Sequence, residues 1–205
     1  MFKALTRWYN HRCLKDPQFA FLFSQPPSNE YVCFDCETTG LDPRKAEILS
    51  IGAIIIKNNR ILTSRRLELF IKPTGQIDKA SIKIHHLRHV DLENGLQVEK
   101  AITEFLNFIG SRPLVGYYLE FDVKMINKYL KPMLGIVLPN QCIEVSGLYY
   151  DKKQKHIPPY ADIDLGFDNM LADLSLPTLG QHDAYNDALM TALMYVKLQN
   201  VRRLS

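Results

Sequence analysis

The hydrophobic pattern changes character once, near residue 30. Before it, Lys3, Arg7, His11 and Lys15 recur every four residues, with Phe2, Leu5, Trp8 and Tyr9 roughly opposite. This predicts an amphipathic helix packed on the rest of the protein through its aromatics. A mitochondrial-type presequence, or a helix lying on nucleic acid or a membrane surface, fits the same pattern. Residues 19–23 (Phe-Ala-Phe-Leu-Phe) are apolar enough to need burial, and Gln25-Pro26-Pro27-Ser28-Asn29 marks a turn or linker. From Glu30 the pattern becomes that of strands. Residues 31–35 form the first, and 48–56, apolar on both faces, form a central one. Asn58-Asn59 tolerates positive φ and predicts a tight hairpin into a strand over 61–71, giving three sequential, largely antiparallel strands.

Helical spacing then takes over. Residues 81–87 suggest a short helix or turn, and Val98, Ala101, Ile102, Phe105, Phe108 and Ile109 define one face of a helix over 97–109. A short buried strand over 113–117 leads into a helix over 121–129. A fifth strand is predicted over 142–148, a polar loop with Lys152, Lys153 and Lys155 over 151–164, a helix over 165–174 and a last helix over 183–200. The chain is therefore α/β, with a mixed five-stranded sheet flanked by helices: a basic and aromatic N-terminal extension over 1–29, then one domain over 30–205.

Composition narrows the setting. Of 205 residues, 46% are apolar and 23% charged, which argues for a folded globular protein. No apolar run spans a bilayer, and no secretory signal is visible. Cys33 and Cys36 sit three apart on a strand, so they point to opposite faces and chelate poorly; with Cys13 and Cys142 they read as reduced thiols of a cytoplasmic protein. A net charge of +3 permits a polyanionic partner.

The chemistry starts at Phe34-Asp35-Cys36-Glu37. Asp35 and Glu37 lie on one face of a strand that is otherwise apolar, where two carboxylates repel and lose hydration. A shared divalent cation is the natural compensation. Thr38-Thr39-Gly40 breaks the strand beside them. Asp122 opens a helix, either as a favourable first-turn acid or as part of the same site. His182 and Asp187 are separated by about 140° on an ideal helix, so if both are to meet one site His182 belongs to a loop before the last helix, with Asp183 as N-cap or first-turn acid.

Three segments together, Phe34-Asp-Cys-Glu-Thr-Thr-Gly-Leu41, Tyr117-Tyr-Leu-Glu-Phe-Asp122 and His182-Asp-Ala-Tyr-Asn-Asp187, resemble the DEDDh branch of the DnaQ-like 3′–5′ exonuclease superfamily, in particular the proofreading epsilon-subunit type. The resemblance covers about residues 30–200 and implies an RNase H-like fold. It also implies that Asp35, Glu37, Asp122 and Asp187 hold two Mg²⁺ ions, with Mn²⁺ able to substitute, about 3.5–4 Å apart. His182 would be the general base of phosphodiester hydrolysis. The same resemblance assigns Thr38, Thr39, Gly40 and Leu41 to the terminal nucleotide and lets Tyr117 or Phe121 stack on a base. His85 would lie near the substrate phosphates, although His85 or His86 reads equally as an ordinary surface histidine. Single-stranded 3′ ends are the implied partner. DNA is favoured because Glu37-Thr38-Thr39 matches proofreading-type members, whereas RNA-degrading relatives usually carry Met after the Glu. An RNA 3′-end trimming enzyme and a non-catalytic nucleic-acid-binding module are the alternatives. Gln18 followed by aromatics resembles a sliding-clamp peptide, so a polymerase or clamp contact is a further expectation.

Overall fold

A computed structural model describes residues 2–77, 79–155, 158, 162–180 and 182–200. The chain begins with α1 (Phe2–Arg12) and a 3₁₀ helix (Pro17–Phe23) started by Asp16, whose carboxylate accepts the Gln18 N–H. Three antiparallel strands follow: β1 (Glu30–Thr38), β2 (Ile48–Lys57) and β3 (Arg60–Phe70). Asn58 and Asn59, at φ 50° and 59°, make the tight turn between β2 and β3. Short helices α2 (Lys79–His85) and α3 (His89–Leu92) lead to α4 (Val98–Ile109), β4 (Leu114–Gly116) and α5 (Leu119–Leu134). The chain then runs through β5 (Cys142–Glu144), α6 (Val145–Lys153), α7 (Phe167–Asp173) and α8 (Ala184–Asn200).

The sheet order is β3-β2-β1-β4-β5, with β4 parallel to β1 and β5 parallel to β4. Alternation along the strands divides the core. Val32, Phe34, Cys36, Ile51, Ala53 and Ile55 pack with α4 and α5, whereas Cys33, Ile54 and Ile56 pack with α6, α7 and α8. Cys33 and Cys36 thus lie on opposite faces, and all four cysteines are free thiols. No helix among the described residues is long and apolar enough to cross a membrane.

Three expectations need correction. The fifth strand is only three residues long, because Glu144 ends it by accepting the Ser146 N–H and starting α6. Lys152 and Lys153 belong to α6 and not to a loop; Lys153 pairs with Asp173, and Lys152 donates to the Leu198 carbonyl. The remainder of the expected Lys-rich loop, including His156, falls partly outside the described residues. Trp8 and Tyr9 are exposed, so they do not anchor α1. Among the described side chains, polar bonds help to hold it: Arg7 Nη1 donates to the Pro139 carbonyl at 2.8 Å, Asn10 exchanges two bonds with the Val137 backbone, and the His11 ring packs on Phe23.

One ion-pair cluster joins the start of β1 to the rest of the fold. Glu30, buried, accepts from Lys57 Nζ at 2.8 Å and from Arg112 Nε at 2.7 Å. Hydrogen bonds from both cations hold its carboxyl below the usual range. Because the folded value is depressed, its stabilisation is complete above the unfolded carboxylate range and disappears as pH falls through the folded value. Glu30→Gln is therefore expected to lower the melting temperature at pH 7 and to converge on wild type near pH 3, as followed by circular dichroism. A gap that stays constant with pH would exclude the ionic contribution.

Candidate active site

Asp35 and Glu37 share the face of β1 that carries α8. In register, Asp35 stands opposite Gly52 of β2, and Gly52 is where α8 meets the sheet. A Cβ at Gly52 would come within 2.2 Å of the Ala184 carbonyl carbon and the Tyr185 nitrogen. The missing side chain lets the first turn of α8, which carries Asp187, lie directly on the strands.

That turn is entered through a tied loop. His182 adopts a left-handed conformation, φ 59°, and its N–H donates to Asp187 Oδ2 at 3.1 Å. Asp183 accepts the Asn186 N–H at 2.9 Å, an N-cap bond, and the Asn186 amide donates back to the Gly180 carbonyl. Ligand-type atoms of Glu37, His182 and Asp187 all lie within 4.8 Å of one another.

Asp122 arrives from the first turn of α5, on the other side of the sheet, and is only 4% exposed. It lies near the backbone N–H of Cys36, the residue between Asp35 and Glu37, and that amide partly offsets the effect of burial on its pKa. Glu144, which the sequence pattern does not single out, fixes this helix start. Its two oxygens accept the N–H groups of Tyr118 (3.3 Å) and Leu119 (3.0 Å) as well as the N–H and hydroxyl of Ser146. One carboxylate therefore caps α5 and α6 together. The available signal was an acid two residues before a serine, which the continuous apolar alternation over 142–148 conceals.

The carboxyls strain against one another. Burial first, and then the charges of Asp122, Asp187 and Glu37, push Asp35 well above its ordinary range. Burial likewise raises Asp122, takes Glu37 to about 7 with help from Asp187 and Asp183, and takes Asp187 to about 6. Asp187 Oδ1 is buried with no hydrogen-bond partner. Uncompensated negative charge and an orphaned oxygen are what a hard divalent cation would satisfy. Carboxylates with one imidazole suit Mg²⁺ or Mn²⁺ better than a thiolate-seeking metal. The donor set therefore fits the expected cofactor.

The carboxyls open into a cleft of about 1480 Å³, also lined by Thr38, Gly40, Leu41, His85, Tyr117, Tyr118, Phe121 and Phe167. Thr39 does not line it. Its N–H donates to the Glu47 carbonyl, its hydroxyl accepts the Glu47 N–H, and its carbonyl accepts from Ser81. Thr39 thus braces the turn, and its amide is not free to meet a phosphate. Leu41, in contrast, is strongly exposed at the cleft. Tyr117 is pinned by its hydroxyl to the Leu165 carbonyl and by its ring to Phe167.

His85 is not a surface residue: it is 4% exposed. Its Nδ1 accepts the Leu87 N–H at 3.0 Å, so the proton of the neutral ring sits on Nε2, which has no partner. Burial, with the neighbouring His86 and His182 charges, pulls its pKa down. His85 is therefore a neutral donor without an acceptor.

The fold is the RNase H-like arrangement of exonuclease I. Escherichia coli exonuclease I in complex with a dT13 oligonucleotide superposes with a TM-score of 0.70 at 12% identity, covering 84% of this chain and 41% of that one. The RNase_T exonuclease family model matches residues 32–195, and the chain belongs to that family. The PolC-type DNA polymerase III of Thermotoga petrophila is 29% identical over 167 residues, covering 82% of this chain and 12% of that protein. The DNA polymerase III subunit epsilon of Aquifex aeolicus is 26% identical over 171 residues, covering 82% and 79%. The chain thus spans about an eighth of its PolC-type relatives and most of the epsilon subunit.

Proposed function

We propose that the protein is a metal-dependent 3′–5′ exonuclease that removes nucleoside 5′-monophosphates from single-stranded DNA ends. The observation that carries the proposal is the convergence of Asp35, Glu37, Asp122 and Asp187 with His182 in one cleft. When bound by these carboxylates, two Mg²⁺ ions, or Mn²⁺ in their place, supply Lewis-acid stabilisation of the attacking and leaving oxygens. His182, exposed on its loop, takes a proton from the attacking water and returns it to solvent. Water adds to the terminal phosphorus as the bond to O3′ of the preceding nucleotide breaks, and that oxygen takes a proton from solvent water to become the new 3′-hydroxyl. His85 offers its Nε2–H to a phosphate oxygen, which supplies the missing acceptor. Thr38, Gly40 and Leu41 line the place of the departing nucleotide, with Phe121 on the wall of the cleft.

Two things support DNA over RNA: the Glu37-Thr38-Thr39 sequence, and relatives named as DNA polymerase III proteins. The same names bring a polymerase contact into the proposal. Phe19, Phe21 and Phe23 pack against the core, so residues 18–23 are not free to act as a clamp peptide. The free thiols accord with a cytoplasmic setting.

The test is hydrolysis of 5′-labelled single-stranded DNA and RNA of matched sequence with Mg²⁺ or Mn²⁺. Stepwise shortening from the 3′ end of DNA, with monophosphate release, is expected. Degradation of RNA alone overturns the DNA assignment, and binding without cleavage supports a non-catalytic module instead. His182→Ala should lower kcat by roughly 10²–10⁴-fold with little change in KM, read in single-turnover assays.

A further inference from the structure

We infer that Tyr118 is a stacking platform for a nucleobase of the bound strand. The inference rests on the nuclease reading above, because it needs a single strand in the cleft. Tyr118 is 70% exposed, yet its ring lines the cleft one helical turn before Asp122. Exposed aromatic rings beside a phosphate-handling centre are the usual means of holding single-stranded nucleic acid without regard to sequence, since every base has a π-face.

The ring is also held in place. Its centroid lies 4.5 Å from that of Tyr117 at 61°, an edge contact, and Tyr117 in turn lies 5.0 Å from Phe167. Tyr117 is fixed to the Leu165 carbonyl, so Tyr118 caps a braced column of three rings whose outermost member faces solvent. Its backbone is restrained as well. Tyr118 adopts φ 50°, ψ 32°, a left-handed conformation that bulky residues rarely take, with its N–H on Glu144 and its carbonyl accepting from Phe121. A ring that already rests against Tyr117 has less freedom left to lose when a base lands on it. Tyr117, which sequence alone also offers for stacking, is already covered on the Phe167 side.

The occupant is a nucleobase and not an apolar protein segment. The wall continues into carboxylates and the buried His85 donor, groups suited to a metal-held phosphodiester and costly to bury against a hydrophobic partner.

The test uses DNA oligonucleotides carrying a single abasic residue at each of the final positions in turn. Wild type should show a raised KM at one position. Tyr118→Gly, which suits the left-handed backbone and so keeps the fold, should raise KM on intact DNA by roughly five- to hundredfold and lose the position-specific abasic effect. Tyr118→Phe should hold KM near the wild-type value and retain that effect. If Tyr118→Gly leaves KM unchanged, or keeps the full abasic effect, the inference is overturned while the nuclease reading stands. If wild type hydrolyses no intact strand, the nuclease reading is what has failed.

Discussion

Asp35→Asn is expected to abolish hydrolysis and to stabilise the metal-free protein. The two effects have one cause. Asp35 is pressed by Asp122, Asp187 and Glu37, all held near it whether or not a cation is present. Removing its charge takes away the repulsion together with a proposed metal ligand. A fall in kcat of at least about 10³-fold is expected. Metal-free stability should rise by about 1–2 kcal/mol, which corresponds to roughly 2–8 °C in Tm for a chain of this size.

The pH dependence follows from the same shifts. The four folded values are raised, so their contribution to stability is complete below the unfolded carboxylate range and is lost as pH rises through the folded values. Metal-free wild type should therefore gain stability as pH falls from 8 through the Glu37 value near 7 and the Asp187 value near 6. Millimolar Mg²⁺ should restore the deficit at pH 8 by binding only the folded state. Asp35→Asn should flatten both responses. Scanning calorimetry with and without EDTA makes the comparison, and a mutant less stable than wild type without metal would contradict the account.

Gly52→Ala should damage both the fold and the activity, although residue 52 carries no reactive group. A methyl group 2.2 Å from the backbone of Ala184 and Tyr185 cannot be accommodated without lifting the start of α8. That start carries Asp187 and is reached through the His182 loop. A loss of about 3 kcal/mol or more is expected. The surviving folded fraction should bind Mn²⁺ more weakly, because Asp187 would be displaced from Glu37. Gly147→Ala is the matched control: nothing lies within 4 Å of its Cβ position on α6, and a gain of about 0.5–1 kcal/mol is expected there. Urea denaturation and Mn²⁺ titration separate the two variants. Equal behaviour would mean that α8 can shift freely at Gly52.

The elements legible in the sequence are those encoded locally. The Asn58-Asn59 turn, the apolar run of β2 and the spaced face of α4 each declare themselves within a dozen residues. Asp35 and Glu37 were legible for a different reason: acids on an otherwise apolar strand have no packing explanation, whereas Asp122, His182 and Asp187 joined them only through the resemblance of three segments to a family. What stayed hidden depends on contacts distant in the chain. Thr39 looks available beside Glu37, but Glu47 and Ser81 occupy its polar atoms. His85 reads equally as a surface residue and as a phosphate contact until the fold buries it beside the cleft. In α6 polar and apolar residues do not segregate to opposite faces, so Lys152 and Lys153 resemble a loop. Trp8 and Tyr9 look like anchors, but Arg7 and Asn10 find carbonyls on the segment after α5 and help to make the attachment instead.

The position of α8 on the sheet also bears on the order of synthesis. Asp35 is made early, on β1, and Asp187 late, on the last helix described, yet the two must meet over Gly52. Contacts between such distant parts of a chain form late in folding. As the protein emerges from the ribosome, β1 to α7 can assemble around their own apolar contacts while the proposed cation site still lacks a wall. On the proposed function, a nascent chain would therefore carry no competent nuclease next to the cell's nucleic acids until α8 docks.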